Sequence, residues 1–330
     1  MTRYLARRVL VGVVLLLCVS ALTFVLFYVL PAGDPAVLRA GRNASPATIA
    51  QIRHTLGLDR SLPVQFWTYL KGIVLHFDLG YSYYNNAPVR TLLARQLPAT
   101  ISLTLGAAVL WVLIATPIGI VSALRRRTWA DRVLMSGALV VISAPVYWVG
   151  LVALYLFADD IGIFPLLPGA GSYTPLTQDP GKWLGSLILP WLVLAGSFAG
   201  IYARLLRTSL IDTMSQDFIR TARAKGISER RVVLRHGVRV ALTPVVTLLG
   251  VDVGVLLGGA ILTESVFNLP GIGRLGVDAI NHADLPVIQG TVLAAAFFVI
   301  AANLVVDVVY AFLDPRVRYS SSSSSSSSST

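Results

Sequence analysis

Charge is scarce in this 330-residue chain: Asp, Glu, Lys and Arg make up only 13% of it, and its mean hydropathy is +0.72. A soluble domain carries about 25% charge to solvate its surface, so the composition excludes one and implies a polytopic membrane protein. Cysteine is nearly missing. Cys18 is the single one, inside the first apolar run, which excludes a disulfide framework and a cysteine metal site; it reads as a lipid-buried small residue. The four histidines, His54, His76, His236 and His282, share no metal-ligand spacing. Gly196-Ser197 lacks the residue that separates glycine from serine in a nucleophile elbow. Enzymatic readings therefore have no residues to rest on. Nucleotide motifs are missing too. Gly271 and Gly273 follow no strand and lack a correctly placed third glycine, and Gly181-Lys182-Trp183 lacks the earlier glycine and the hydroxyl residue of a phosphate loop. Any ATP-driven function needs a separate ATPase subunit.

The charge that is present is sorted by position. The formal net charge of +11 does not gather into one patch, so nucleic acid is not an expected partner. Six apolar spans account for it: 9–30, 99–124, 133–157 with Pro145 near its middle, 184–203, 244–262 and 287–312. With both termini inside, 18 of the 27 basic residues fall on the cytoplasmic side and 9 outside. Seven of those 9 lie in the first external segment, which exceeds the roughly 60-residue limit within which loop charge steers insertion. The short external loops keep only Lys182 and Arg274. A cleaved signal peptide would have an apolar core of about 7–15 residues, so the first span is read as retained.

Four regions follow: the inner end and first span at 1–30, an external segment at 31–97, a membrane core at 98–313 and a tail at 314–330. In the external segment Ser45-Pro46 starts a helix with Ile49, Ile52 and Leu56 on one face, ended by Gly57. A second helix is expected from Pro63, and a third, carrying Val89, Leu92 and Leu93, along the membrane. The cluster Tyr81-Ser82-Tyr83-Tyr84-Asn85-Asn86 suits either the membrane interface or a ligand, the former being the commoner use of such rings. The unbroken serines at 320–329 offer nothing to pack and are set aside.

The longest polar stretch of the second half runs from Asp212 to Pro244. Asp217 is expected to accept from free amides at a helix start, Arg223 and Lys225 to suit its negative end, and Gly226 to end it in the left-handed conformation. Ser228 and Glu229 then open a new helix. Phe218, Ile219 and Ala222 share one side of the short helix and Arg220 and Arg223 another, the pattern of a helix offered to a partner's groove. Composition alone reads the same stretch as a solvated loop, basic only to fix topology.

Polar groups inside spans are candidates for a transport path. Asp252 falls roughly 12 Å beyond Pro244 at about 1.5 Å per residue, near the middle of a layer about 30 Å thick. Gly250, Gly254, Gly258 and Gly259 surround it and allow close helix approach or a narrow cavity wall. It is either a pathway residue for a substrate amino group or an interhelical hydrogen bond. Gln289 and Asn303 are weaker candidates, and Asp307 falls at the inner interface. An ion-coupled carrier using Asp252 is the alternative reading of these residues. A scaffold without a cavity is a third.

Several stretches taken together carry a family resemblance. They are Arg3-Tyr4-Leu5-Ala6-Arg7-Arg8, Leu30-Pro31-Ala32-Gly33-Asp34-Pro35-Ala36, the island Arg220-Thr221-Ala222-Arg223-Ala224-Lys225-Gly226 with Ser228-Glu229-Arg230-Arg231 and Leu234-Arg235-His236, and the loop Glu264-Ser265-Val266-Phe267-Asn268-Leu269-Pro270-Gly271-Ile272-Gly273-Arg274-Leu275. In order, they resemble the B-type permease of binding-protein-dependent dipeptide and oligopeptide ABC importers. Arg220 and Thr221 stand where the general coupling motif has Glu and Ala; only Ala222 and Gly226 match its common form. The resemblance implies an all-helical type I permease fold with a cytoplasmic coupling loop at 208–239. It further implies a coupling role for Asp217, Phe218, Ile219, Arg220, Thr221, Ala222, Arg223, Lys225 and Gly226. Its implied partners are a second homologous permease, two ATP-binding cassette subunits that hold ATP and Mg, an external peptide-binding protein and the lipid of an inner membrane.

Overall fold

The computed structural model describes residues 2–29, 34–40, 44–55 and 57–313, and every regular element among them is helical. The exit residues Leu30 to Gly33, Leu56, and the tail with Arg316, Arg318 and the serine run lie outside the described residues.

Helix α1 (Thr2–Phe24) continues into a π-helical turn at Val25–Val29. Three short helices, α2 (Pro35–Ala40), α3 (Pro46–Thr55) and α4 (Leu62–His76), build the external segment. Ser45 Oγ accepts from Thr48 N at 3.2 Å, so α3 starts where the Ser-Pro pair placed it. Gly57 follows in the left-handed conformation at φ 66°.

Helix α5 (Val89–Leu124) departs from expectation. It runs 36 residues without a break, with Pro98 and Pro117 inside rather than at an end. Such a helix is about 54 Å long, well beyond a hydrocarbon layer of about 30 Å. Its first turns are not a separate helix. Val89, Leu92 and Leu93 bury against Ile272, Leu275, Ala279 and Val287, and burying that apolar stripe favours a helix that continues through Pro98. Membrane helices tolerate such a proline when neighbours satisfy the freed carbonyl.

The third span is broken. Helices α6 (Trp129–Ser143) and α7 (Val146–Phe157) meet at 96°. Ala144 precedes a proline and is therefore extended, at ψ 129°, so Pro145 caps a new helix instead of kinking one. Helix α8 (Pro180–Met214) opens on Asp179, whose Oδ1 accepts from Gly181 N and Lys182 N, with Pro180 in the first turn. The polar island folds as α9 (Asp217–Ala224), α10 (Glu229–Arg231), a π-helical turn (Val232–Val238) and α11 (Arg239–Ala241). Helix α12 (Thr243–Leu257) follows after a 43° bend. The last external loop holds α13 (Ile261–Val266) and α14 (Ile272–Asn281), and α15 (Leu285–Leu313) closes the described chain. Among the described residues four helices are long and apolar enough to cross a membrane, and the number is up to six if each of the two bent pairs is one span.

The core is the α5–α8 interface. Leu103, Ala107, Trp111 and Ala115 recur every fourth residue on α5 and bury against Leu187, Trp191, Leu194 and Tyr202 of α8. Gly106 sits under the Trp191 indole, where any Cβ would overlap the ring, and Trp191 Nε1 donates to Ser102 O at 2.9 Å. On the other side, α12 approaches α15 through glycines four residues apart. A Cβ at Gly254 would meet Ala302 Cβ at 2.6 Å and one at Gly258 would meet Ala295 Cβ at 2.8 Å. Small residues let backbones approach in a lipid medium, where apolar side chains alone give little drive to associate.

Candidate coupling and translocation sites

Helix α9 is fastened to its own chain by one face. Ile219 is fully buried and Ala222 nearly so, in a cluster with Val232, Met214 and Ile227. Phe218 faces the other way at 41% exposure, alongside exposed Arg220, Thr221, Ala224 and Lys225. The apolar group expected as one partner-directed face is thus divided: Ile219 and Ala222 anchor the helix and Phe218 is presented. Eight residues of helix offer too little propensity to stand alone, and the anchor supplies what is missing.

The helix ends are set differently from expectation at one side and as expected at the other. Gln216, not Asp217, occupies the N-cap, without a side-chain hydrogen bond. Asp217 lies one residue inside, and its Oδ1 accepts from Arg220 Nη1 at 3.3 Å on the exposed surface. Gly226 has φ 74°, and a Cβ there would meet nothing within 4 Å. Its requirement is conformational rather than steric crowding. Ser228 occupies the next N-cap without a side-chain bond, while Glu229 accepts from Arg223 Nε at 3.0 Å and Nη2 at 2.7 Å. That carboxylate pushes the Arg223 guanidinium further up from its ordinary pKa.

A second polar junction lies ten residues before α9 on α8. Arg207 donates to both oxygens of Asp131, each at 2.8 Å, and Asp131 also accepts from Ser122 Oγ and from Arg127 N at 3.0 Å. Asp131 is buried, and its four donors join α8 to the start of α6 and the end of α5. Nothing in the sequence singled out this pair. The spacing Thr128-x-x-Asp131, a cap followed by an acid in the first turn of α6, was the available signal.

The three pathway candidates occupy three separate places. Asp252 Oδ2 accepts from Tyr202 OH at 2.7 Å across α8 and α12. Tyr202 is fully buried and its ring lies 5.6 Å from Trp111. Asn303 Nδ2 donates back to Val299 O at 2.9 Å within its own helix, and Asn303 lines a groove between α1 and α15 that also holds Arg8 and Asp307. Those two form an ion pair at 3.1 Å that joins α1 to α15. Gln289 is buried near the start of α15, beside α4.

Two further carboxylates pin the loops that flank α13 and α14. Glu264, fully buried, accepts from Thr100 Oγ1 at 2.8 Å and from Arg274 N at 2.9 Å, while Thr100 Oγ1 accepts from Ile272 N at 2.9 Å. A Cβ at Gly271 would overlap that carboxylate, so the glycine is required. Burial pushes the Glu264 carboxyl above its ordinary pKa, against the pull of these donors. Asp284 accepts from Ser82 Oγ, from Tyr83 N at 3.0 Å and from Tyr84 N at 3.2 Å, and Tyr84 stacks on His282 at 3.7 Å. The tyrosine cluster is thereby tied to the loop before the last span.

Residues 115–319 match a family described as the inner membrane component of binding-protein-dependent transport systems, and residues 1–104 match the N-terminal part of such membrane components. A Brucella abortus (strain 2308) protein named as a peptide transport system permease is 43% identical over 319 residues, covering 97% of this chain and 100% of that relative. The glutathione transport system permease protein GsiC of Salmonella typhimurium is likewise 43% identical over 319 residues, with 97% and 100% coverage.

Proposed function

The chain belongs to the binding-protein-dependent transport system inner membrane components, and we propose that the cargo it passes is a short peptide delivered by an external binding protein. It is the permease of such a system, not the enzyme. The end-to-end similarity to permeases named for peptide and glutathione transport carries the proposed cargo, since glutathione is itself a tripeptide. An ion-coupled carrier built on Asp252 gives way to family membership.

The complete importer pairs this chain with a second homologous permease and two cytoplasmic ATP-binding cassette subunits, which hold ATP and Mg. Both termini and α9 lie on the cytoplasmic side, supported by the distribution of arginine and lysine. The exposed Phe218, Thr221 and Lys225 recur at three- and four-residue steps on α9 and form the surface a cassette subunit grips. Ile219, Ala222 and the Arg223–Glu229 pair return the force to the chain. Closure of the cassettes on ATP draws α9 inward; Arg207 and Asp131 hold α8 to α5 and α6, so the spans tilt together from inward-facing to outward-facing. Asp252 receives the peptide amino group in exchange for its Tyr202 partner.

Purification of the chain from its native membrane in mild detergent tests this. The expected result is a second permease and a P-loop ATPase in the same material, with hydrolysis stimulated by a peptide-loaded binding protein. A chain that purifies alone and carries solute down a proton gradient contradicts it.

A further inference from the structure

A cavity of about 230 Å³ lies between the external segment and the start of α15. Pockets for drug-sized molecules begin at about 300 Å³, so this one suits a smaller ligand. One face of α4 lines it, through Gln65, Thr68, Tyr69 and Gly72, which recur at helical spacing. The large apolar residues Trp67 and Val74 of α4 project elsewhere and are exposed.

Its polar groups are of both signs. Arg39 and Arg60 line the cavity, and neither guanidinium has an ion-pair partner among the described residues. Gln65 Nε2 donates to Arg60 O at 2.7 Å and to Leu58 O at 3.3 Å, which fixes the turn that presents Arg60. Asp78 lines the same space; its Oδ1 accepts from Gly80 N at 2.9 Å. Its Oδ2 is not engaged by any described residue. Gln289 lines the cavity and is only 4% exposed; its Nε2 is turned away from the open space and has no hydrogen-bond partner among the described residues.

We propose that this cavity is an external binding site for a small zwitterion, a free amino acid or a dipeptide. Arg39 and Arg60 donate to the ligand carboxylate, and Asp78 accepts from its ammonium. The cavity is formed by one chain, away from Asp252, so it is an accessory site and not a stage of the path through the spans. The inference stands on the cavity's own chemistry and does not depend on which solute is transported. Because the ligand bridges α4 and α15, it tightens the external segment onto the last span.

The test is equilibrium dialysis of labelled Ala-Ala against the permease–ATPase complex in phosphatidylcholine nanodiscs, with nucleotide and binding protein omitted. Saturable binding is expected, weakened at least about tenfold by Arg60→Ala, because a hydrogen bond to a charged group is worth about 1.5–3 kcal/mol. Asp78→Asn, which removes the charge that meets the ammonium, weakens it as well. The amide of Ala-Ala and its N-acetyl derivative, each lacking one charge, compete poorly; L-alanine as a second probe tells the amino acid from the dipeptide. Absence of saturable binding overturns the proposal, as does binding that both variants leave intact or that inorganic phosphate displaces as well as Ala-Ala does. A complex that imports peptide but fails this test contradicts the accessory site alone, and one that binds Ala-Ala here but imports another solute contradicts the peptide cargo alone.

Discussion

Arg223 and Glu229 close a hairpin around Gly226: two guanidinium nitrogens donate to the two carboxylate oxygens at 3.0 and 2.7 Å, across a glycine at φ 74°. The short helix α9 therefore does not dangle from the spans. It is clamped at its C-terminal end by this pair and along one face by Ile219 and Ala222. The pair lies on the exposed surface, where solvent screens it, so the apolar anchor contributes most to holding the helix and the pair fixes its direction.

Phe218 and Ile219 are neighbours with opposite roles. Ile219→Ala removes a fully buried side chain and is expected to destabilise the region by about 2–5 kcal/mol, seen as faster proteolysis of the 215–240 stretch in the isolated chain. Phe218→Ala leaves that protection unchanged and weakens association with the cassette subunits. Equal proteolytic sensitivity of the two variants would remove the distinction between anchor and docking surface.

Gly226→Ala tests conformation without crowding, because open space surrounds its missing Cβ. A left-handed non-glycine residue costs about 1–2 kcal/mol, so a partial fall in peptide transported per ATP is expected. Gly226→Pro cannot adopt φ 74° and uncouples the two more completely. Normal stoichiometry in both variants would count against α9 as the coupling element.

Asp252→Asn keeps an oxygen that can accept from Tyr202 but loses the charge. Assembly is expected to persist while uptake falls, measured with labelled peptide. Tyr202→Phe leaves the carboxylate without that donor and is expected to lower stability by about 1–3 kcal/mol. Unchanged uptake in Asp252→Asn would leave the residue as a fastening between α8 and α12.

Arg207→Ala strands the buried carboxylate of Asp131, a loss expected to be about 3–5 kcal/mol. The double variant Asp131→Asn, Arg207→Met removes both charges and should recover part of that loss in thermal unfolding of the solubilised chain. No recovery would mean that Arg207 contributes by packing and not through its partner.

Much of this architecture was legible in the order of residues. The apolar runs, the Ser45-Pro46 start of α3 and the left-handed glycines Gly57 and Gly226 follow from local rules about caps and φ. What local rules could not reach were contacts between distant segments. Pro98 looked like the start of a span because the burial of Val89, Leu92 and Leu93 against Ile272 and Val287 is a matter of tertiary packing. Pro145 looked like a kink inside one helix, and the extended backbone at Ala144 before it instead breaks the chain there at 96°. The same holds for the site. Phe218, Ile219 and Ala222 fall on one side of an ideal helix, and only the position of Val232 and Met214 decides which of them is covered. Asp131 and Arg207 are separated by most of two spans in sequence, and their bidentate contact had only a weak capping signal to announce it.

The most direct measurement is uptake of a labelled tripeptide into proteoliposomes containing this permease, its partner permease, the cassette subunits and the binding protein, with ATP enclosed and hydrolysis followed in parallel. The account predicts accumulation that needs both ATP and the binding protein, and that falls in Phe218→Ala while peptide binding to the binding protein is unaffected. Accumulation without ATP, or at the full rate in Phe218→Ala, would contradict it.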